Sequence, residues 1–198
     1  VWRKSANHIK DEMLETKTGD LLDSNQEYIL HQCNCIAIKP HGLSASISSK
    51  FPWADPYSIR KSKIGTKSHD KNLSSRNYAI KEDRSSPASI RVFTDPENKK
   101  IKIISLFAQY GMGKPYSYNN PKPGIPDSYE LRQDWFYQCL EQVAILEPKS
   151  IALPYKIGCG LAGGDWNIYE KIISDFSIKY PNIHVVIVQK SFAFPQSL

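Results

Sequence analysis

The stretch Ala152 to Trp166, ALPYKIGCGLAGGDW, constrains this chain more than any other. It reads as an apolar strand, Ser150 to Leu153, then a loop with four glycines (Gly158, Gly160, Gly163 and Gly164), then Asp165 opening a helix that runs to about Lys179. A second apolar strand, His184 to Val188, follows the turn Pro181-Asn182. Strand, helix and strand in that order call for a parallel crossover. The expected fold is therefore α/β, with a mixed central sheet covered on both faces in three α/β/α layers. Glycines at this density let a backbone approach a ligand closely, and free amides beside a helix N-terminus suit an anion, phosphate above all. The plainer reading is that they only turn the chain.

Gly158, Gly160 and Gly163 satisfy the GxGxxG spacing of dinucleotide-binding loops. The acidic residue that should end the next strand is missing, because Gln189-Lys190 stand there, and there is no GK[ST] of a P-loop. Phosphate binding survives and a nicotinamide enzyme does not.

At 198 residues the chain suits one domain, read as 13–198, with the polar and aperiodic residues 1–12 as an extension ahead of Met13. A net charge of +6 favours anionic partners, a small phosphate-bearing molecule as readily as RNA. No run of eighteen apolar residues and no signal-peptide core is present, so no membrane role and an intracellular protein, cytoplasmic or nuclear, are expected. Four irregularly placed cysteines form no disulfide framework and no zinc spacing. Neither a metal nor a cofactor is called for. Cys159, in the glycine loop but with no histidine near it in sequence, reads as space-filling before nucleophilic.

Along the chain, Glu15–Thr18, Tyr28–Gln32, Tyr78–Ile80, Ile90–Phe93 and Ile101–Phe107 read as strands. Asn34 follows the second of these, where open α/β sheets bind ligands, and its amide can both donate and accept. Gly42-Leu43-Ser44 opens a helix of small residues whose N-terminal amides form a second phosphate-facing loop. Residues 60–76, RKSKIGTKSHDKNLSSR, read as a solvated connection. This is the best starting point for nucleic-acid binding, but without interleaved aromatics direct binding is disfavoured. Gln109 ends the central strand, again on the ligand side. The proline-rich 115–127 is either a flap or a surface excursion. Ser128 to Leu146 is a long amphipathic helix with Leu131, Trp135, Phe136, Cys139, Leu140, Val143 and Leu146 on its apolar face, and the helix after the glycine loop buries Ile168, Ile172, Ile173 and Phe176.

Together, Gly19-Asp20, Gln32-Cys33-Asn34, Gly42-Leu43-Ser44 and LPYKIGCGLAGGDW resemble the macro domain, the ADP-ribose-binding α/β/α module, over about residues 13–190. The form P-x-x-I-G-C-G-L-x-G-x-x-W is similar to the branch holding the ADP-ribose 1''-phosphate phosphatases and the terminal ADP-ribose protein glycohydrolases. The resemblance implies that Asp20 accepts from the adenine amine while Leu21 gives backbone contact to the ring. It implies that Gly158, Cys159, Gly160, Leu161, Ala162, Gly163 and Gly164 hold the diphosphate, and that Gly42, Leu43, Ser44 and Asn34 meet the distal ribose.

The chain departs from the glycohydrolase pattern at two places. Ala162 stands where that branch has a catalytic aspartate, and Gln109-Tyr110 where it has a lysine, so a lysine adduct has no evident nucleophile unless Lys114 reaches in. The resemblance then favours a phosphatase-like hydrolysis at the distal ribose. Asn34 would orient the sugar, Asp165 or His41 would transfer the proton, and loop amides would offset developing charge. An aspartate before a helix is also the usual N-cap, which competes with the catalytic role for Asp165. The partners implied are ADP-ribose or its 1''-phosphate, with ADP-ribosylated macromolecules or a non-catalytic reader role as alternatives.

Overall fold

A computed structural model describes residues 13–62, 78–115 and 125–191. Six strands, β1 (Leu14–Thr18), β2 (Tyr28–Asn34), β3 (Ile90–Thr94), β4 (Lys102–Gln109), β5 (Ser150–Pro154) and β6 (His184–Gln189), form one sheet in the order β1-β6-β5-β2-β4-β3. All neighbours are parallel except β3 and β4, which are antiparallel. β5 and β6 pair in parallel, as the crossover argument requires, and the antiparallel β3–β4 pair makes the sheet mixed.

Alternation along the strands divides the core into two halves. Leu30, Ile104, Ile151, Leu153, Val185 and Ile187 face α2 (Tyr129–Ile145) and α3 (Trp166–Lys179), which bring Phe136, Cys139, Leu140, Val143, Tyr169, Ile173 and Phe176 against them. Ile29, Ile103, Ala152, Val186 and Val188 face the smaller layer of α1 (Leu43–Lys50), with Ile47 and Phe51. Covering on both faces explains why these strands read as near-continuous apolar runs. Between Gln32 and Asn34 the β2–β4 register slips: Gln32 pairs with Leu106 but Asn34 with Gln109. The extra residue in β4 inverts side-chain parity, so Leu106 and Phe107 both reach the larger core half.

Several expectations are corrected. Tyr78–Ile80 is no sheet strand, because its pairing stops at the isolated bridges Ala37 to Tyr78 and Ser62 to Ala79. The buried face of α3 is turned from the one read in sequence: Tyr169 and Ser177 are inside while Ile168 is 40% exposed. In α2 Arg132 is buried, and Leu146, capping its end, is exposed. Arg60, read as part of a solvated run, is buried. The rest of that run from 63, the extension 1–12, and residues 116–124 of the proline-rich segment lie outside the described residues. Among the described residues no helix is long and apolar enough to cross a membrane.

Candidate functional site

The parallel strands β2, β4 and β5 end on one edge of the sheet, and the loops beyond them enclose a cleft of about 610 Å³. One wall is the segment Pro154 to Ala162 without Cys159. The other is His41 to Ser44, and the floor carries Gln32, Asn34, Tyr57 and Gln109, with Met112 and Gly113 beside them.

The glycine loop divides its amides into two sets. The N–H groups of Cys159, Gly163 and Gly164 are used inside the loop, donating to Lys156 O (3.0 Å), Gly160 O (3.0 Å) and Gly158 O (3.0 Å). Those of Gly158, Gly160, Leu161 and Ala162 have no partner among the described residues, and these four residues line the cleft. Internal turns thus spend three donors to expose four. Tyr169 is the reason the loop can sit so low. Gly158 has φ +73°, and a Cβ there would lie 2.6 Å from the Tyr169 ring and 2.8 Å from Gln32 Oε1. A Cβ on Gly164 would lie 2.8 Å from the same ring. At Gly160 a Cβ would meet nothing within 4 Å, so packing does not require that glycine.

On the opposite wall Gly42 takes φ +55° and caps α1 with no side-chain hydrogen bond. No side chain therefore covers the first amides of that helix. Below them, buried His31 meets Ser44 Oγ at 3.2 Å through Nδ1 and Ser105 Oγ at 3.0 Å through Nε2, tying α1 to β2 and β4. Burial drives the His31 pKa down to about 4, against a smaller opposing effect of Asp55, so the ring is neutral near pH 7. Asn34 Oδ1 accepts from Ala37 N (2.7 Å) and Ile36 N (3.2 Å), which leaves its NH2 as the half available to a ligand. Its backbone N–H donates to Tyr57 Oη (3.2 Å), and its carbonyl accepts from Arg60 (3.1 Å).

Two arrangements fix the floor. Gln109 Nε2 donates to Gly111 O (2.9 Å), which obliges Gln109 Oε1 to accept from Gln32 Nε2 (2.9 Å) and leaves Gln32 Oε1 buried without a donor. Arg132 makes a buried two-point ion pair with Asp127, both contacts at 2.7 Å, and its NH1 also donates to Gly113 O (2.6 Å) and Ala162 O (3.5 Å). One guanidinium thereby holds both Gly113 and Ala162, on different loops of the cleft.

Of the sequence-derived candidates, the structure brings Asn34, His41, Gly42, Leu43, Ser44, Gln109, Gly158, Gly160, Leu161 and Ala162 together around the cleft. Asp20, Leu21, Cys159, Gly163, Gly164 and Asp165 are not among its lining residues. Asp20 caps the 3-10 turn Leu21–Asp23 through Leu22 N (2.9 Å). Asp165 caps α3, its Oδ1 accepting from Asn167 N (2.9 Å). The half-buried Cys159 thiol donates to Ile157 O (3.3 Å), and burial pushes its pKa up to about 11, which disfavours the thiolate. Lys114 lays its aliphatic stem on Gly163.

Sequence reasoning missed Tyr57, Tyr155 and Lys156 in the lining and Arg132 beneath it. Tyr155, packed edge-on against Trp166 at 4.9 Å, and Lys156, at φ +58°, lie inside the glycine-rich segment and were within reach of a closer reading. Among the described residues no carboxylate lines the cleft, and the charged or ionisable side chains lining it are His41, Lys156 and Tyr57. Among the described residues no cluster of three His, Cys, Asp or Glu could hold a metal.

No protein-family model matches the sequence, and no curated protein matches it. Solved structures do. The macrodomain of Mycobacterium tuberculosis DarG superposes with a TM-score of 0.63 at 17% identity, covering 91% of this chain and 100% of that one. The macrodomain of Thermus aquaticus DarG gives 0.58 at 18%, covering 90% and 99%. Thermosipho africanus DarTG in complex with ADP-ribose gives 0.52 at 16%, covering 93% of this chain and 43% of that one. The fold is that of the macrodomains: a three-layer α/β/α module with its cleft at the carboxyl edge of a mixed sheet.

Proposed function

We propose that the protein binds ADP-ribose in this cleft and hydrolyses a substituent on the distal ribose, the 1''-phosphate being the favoured leaving group. The observation that carries the binding reading is the set of four unpartnered amides, Gly158, Gly160, Leu161 and Ala162, on one wall. Such a row offsets the charge of a diphosphate without a counter-ion. Asp20 and Leu21, at the end of β1, would take the adenine outside the cleft proper. The fold shared with a structure that holds ADP-ribose agrees with this reading.

The leaving group follows from the other wall. With no carboxylate among the described lining residues, the uncapped start of α1 presents donors to that end beside His41, and Lys156 adds positive charge from the facing wall. That favours a dianionic phosphate monoester over a carboxylate-assisted cleavage of a glycosidic bond. In the proposed step a water oxygen bonds to phosphorus and the bond from phosphorus to the anomeric oxygen breaks. ADP-ribose leaves as the 1''-alcohol and inorganic phosphate is released. The α1 and loop amides hold the phosphoryl oxygens, the Asn34 NH2 orients the ribose, and His41 moves the proton from water towards the leaving oxygen. Asp165 keeps its place as an alternative proton carrier only if it gives up the α3 cap.

The same absence of a carboxylate supports a second reading, a reader that binds ADP-ribose and does no chemistry. Calorimetric titration with ADP-ribose followed by a phosphate-release assay on ADP-ribose 1''-phosphate separates them. Heat with phosphate release is expected, heat without release leaves the reader, and no heat removes both. Loss of label from an ADP-ribosylated macromolecule, with no phosphate released, would restore the glycohydrolase alternative.

A further inference from the structure

Arg60 opens the most basic stretch of the sequence, yet it is 1% exposed. Its guanidinium donates to Ala37 O (2.7 Å), Asn34 O (3.1 Å) and Ser85 Oγ (2.8 Å), and it lies over the rings of Tyr57 (4.8 Å) and Phe107 (5.6 Å). Among the described residues no carboxylate stands within ion-pair distance of it. The acids around it are neutral as well. Burial raises the Tyr57 phenol and the Cys33 thiol, and pushes Cys35 up to about 12, so none of them supplies a negative charge near pH 7.

A buried guanidinium is ordinarily found with a carboxylate, as Arg132 is with Asp127 in this same molecule. Arg60 instead rests on carbonyl dipoles and aromatic faces, which satisfy its N–H groups and leave its net charge unbalanced. Two of the residues that it touches, Asn34 and Tyr57, line the cleft. The uncancelled field therefore emerges at that end of the cleft. Protein interior, not water, lies between, so the field is weakly screened.

We propose that Arg60 is a specificity-determining residue: a permanent cation behind Asn34 and Tyr57 that selects, among ligands sharing the ADP-ribose body, those carrying an additional phosphate monoester at the Asn34 end. It acts through the wall, without touching the ligand. This deepens the functional reading given above and rests on it.

The test is the ratio of dissociation constants for ADP-ribose and ADP-ribose 1''-phosphate, measured by titration at a pH and temperature where turnover is slow. Wild type should favour the phosphate-bearing ligand. Arg60→Lys, which keeps the charge, should retain most of that preference. Arg60→Met, which keeps only the apolar stem, should lose about tenfold of it, the order expected for one weakly screened unit charge. An Arg60→Met protein that folds and keeps the wild-type ratio overturns the proposal, as does a wild type with no preference.

Should Arg60→Met fail to fold, ionic strength decides on the wild type. A preference that holds between about 0.05 and 0.5 M salt supports a buried source, whereas one that collapses assigns the effect to exposed Lys156 and overturns the proposal. Failure of the functional reading looks different: neither ligand then binds wild type at all, and the proposal falls with it.

Discussion

The two ends of the cleft are each held by a buried arginine, and the two solve the same problem in opposite ways. At the glycine-loop end Arg132 is neutralised by Asp127 and spends its remaining donors on Gly111, Gly113 and Ala162. At the Asn34 end the partners of Arg60 among the described residues are carbonyls, a hydroxyl and two rings. The first arrangement is electrically closed and fixes geometry. The second is open and leaves charge for a ligand to meet. One end is built to hold amides in place, the other to carry potential.

The most damaging way to probe this contrast is to strip the closed pair of one partner. Asp127→Ala leaves Arg132 buried and uncompensated, and should cost about 4 kcal/mol in urea unfolding. Arg60→Met should cost less than half as much, because it leaves behind neutral acceptors rather than an uncompensated buried charge. Equal losses would dissolve the distinction between the two arginines.

Next comes acidity at the α1 end. His31 takes its proton at about pH 4 when folded and near its ordinary 6.5 when unfolded. Above that higher value neither state is protonated and the full stability is present. As the pH falls, the unfolded chain gains the proton first and stability drains away, by about 3 kcal/mol on reaching pH 4. Unfolding midpoints between pH 7 and 5 should therefore fall in wild type and stay flat in His31→Gln. A wild-type profile level over that range would mean that the ring is not buried as described.

At the loop end, two glycines that look alike in sequence should behave differently. Gly158→Ala puts a Cβ into the Tyr169 ring at a positive φ and should cost about 2 to 3 kcal/mol. Gly160→Ala meets no atom and should leave the unfolding midpoint within about 0.5 kcal/mol, while its methyl group intrudes on the free amides and weakens ADP-ribose binding. Between these lies Asp165→Ala, with about 1 kcal/mol lost from the α3 cap. Turnover that survived this change would leave Asp165 as a cap and nothing more.

The frame of this molecule was legible because it is written in local pattern. IKIISLF and HVVIV are apolar but for Lys102, Ser105 and His184 and proved to be doubly covered strands, and Pro148 closed α2 near where expected. What escaped is what depends on shape complementarity between distant residues. The burial of Tyr169 over Ile168 follows from the hollow made by Gly158 and Gly164, and no periodicity within α3 can register a hollow in another element. Arg132 looked like one polar position in an amphipathic helix until Asp127, Gly113 and Ala162 gathered round it. Arg60 was hidden by its neighbours in sequence, whose charge suggested solvent. The cleft itself was half visible: motif residues named ten of its lining positions, but the division of the loop amides into spent and free depends on turns that only the folded backbone makes.

The slip in the β2–β4 ladder has a consequence beyond parity. Gln32 and Gln109 sit on either side of the mismatch, and their amide contact bridges it at the point where backbone pairing is interrupted. Because Gly111 O dictates which way both amides face, a carboxylate at position 109 would confront that carbonyl with a second acceptor, and one at 32 would confront Gln109 Oε1. The two strand tips are in effect buttoned in one sense only, and the floor owes its contour to a counting error in the sheet that these side chains prevent from being undone.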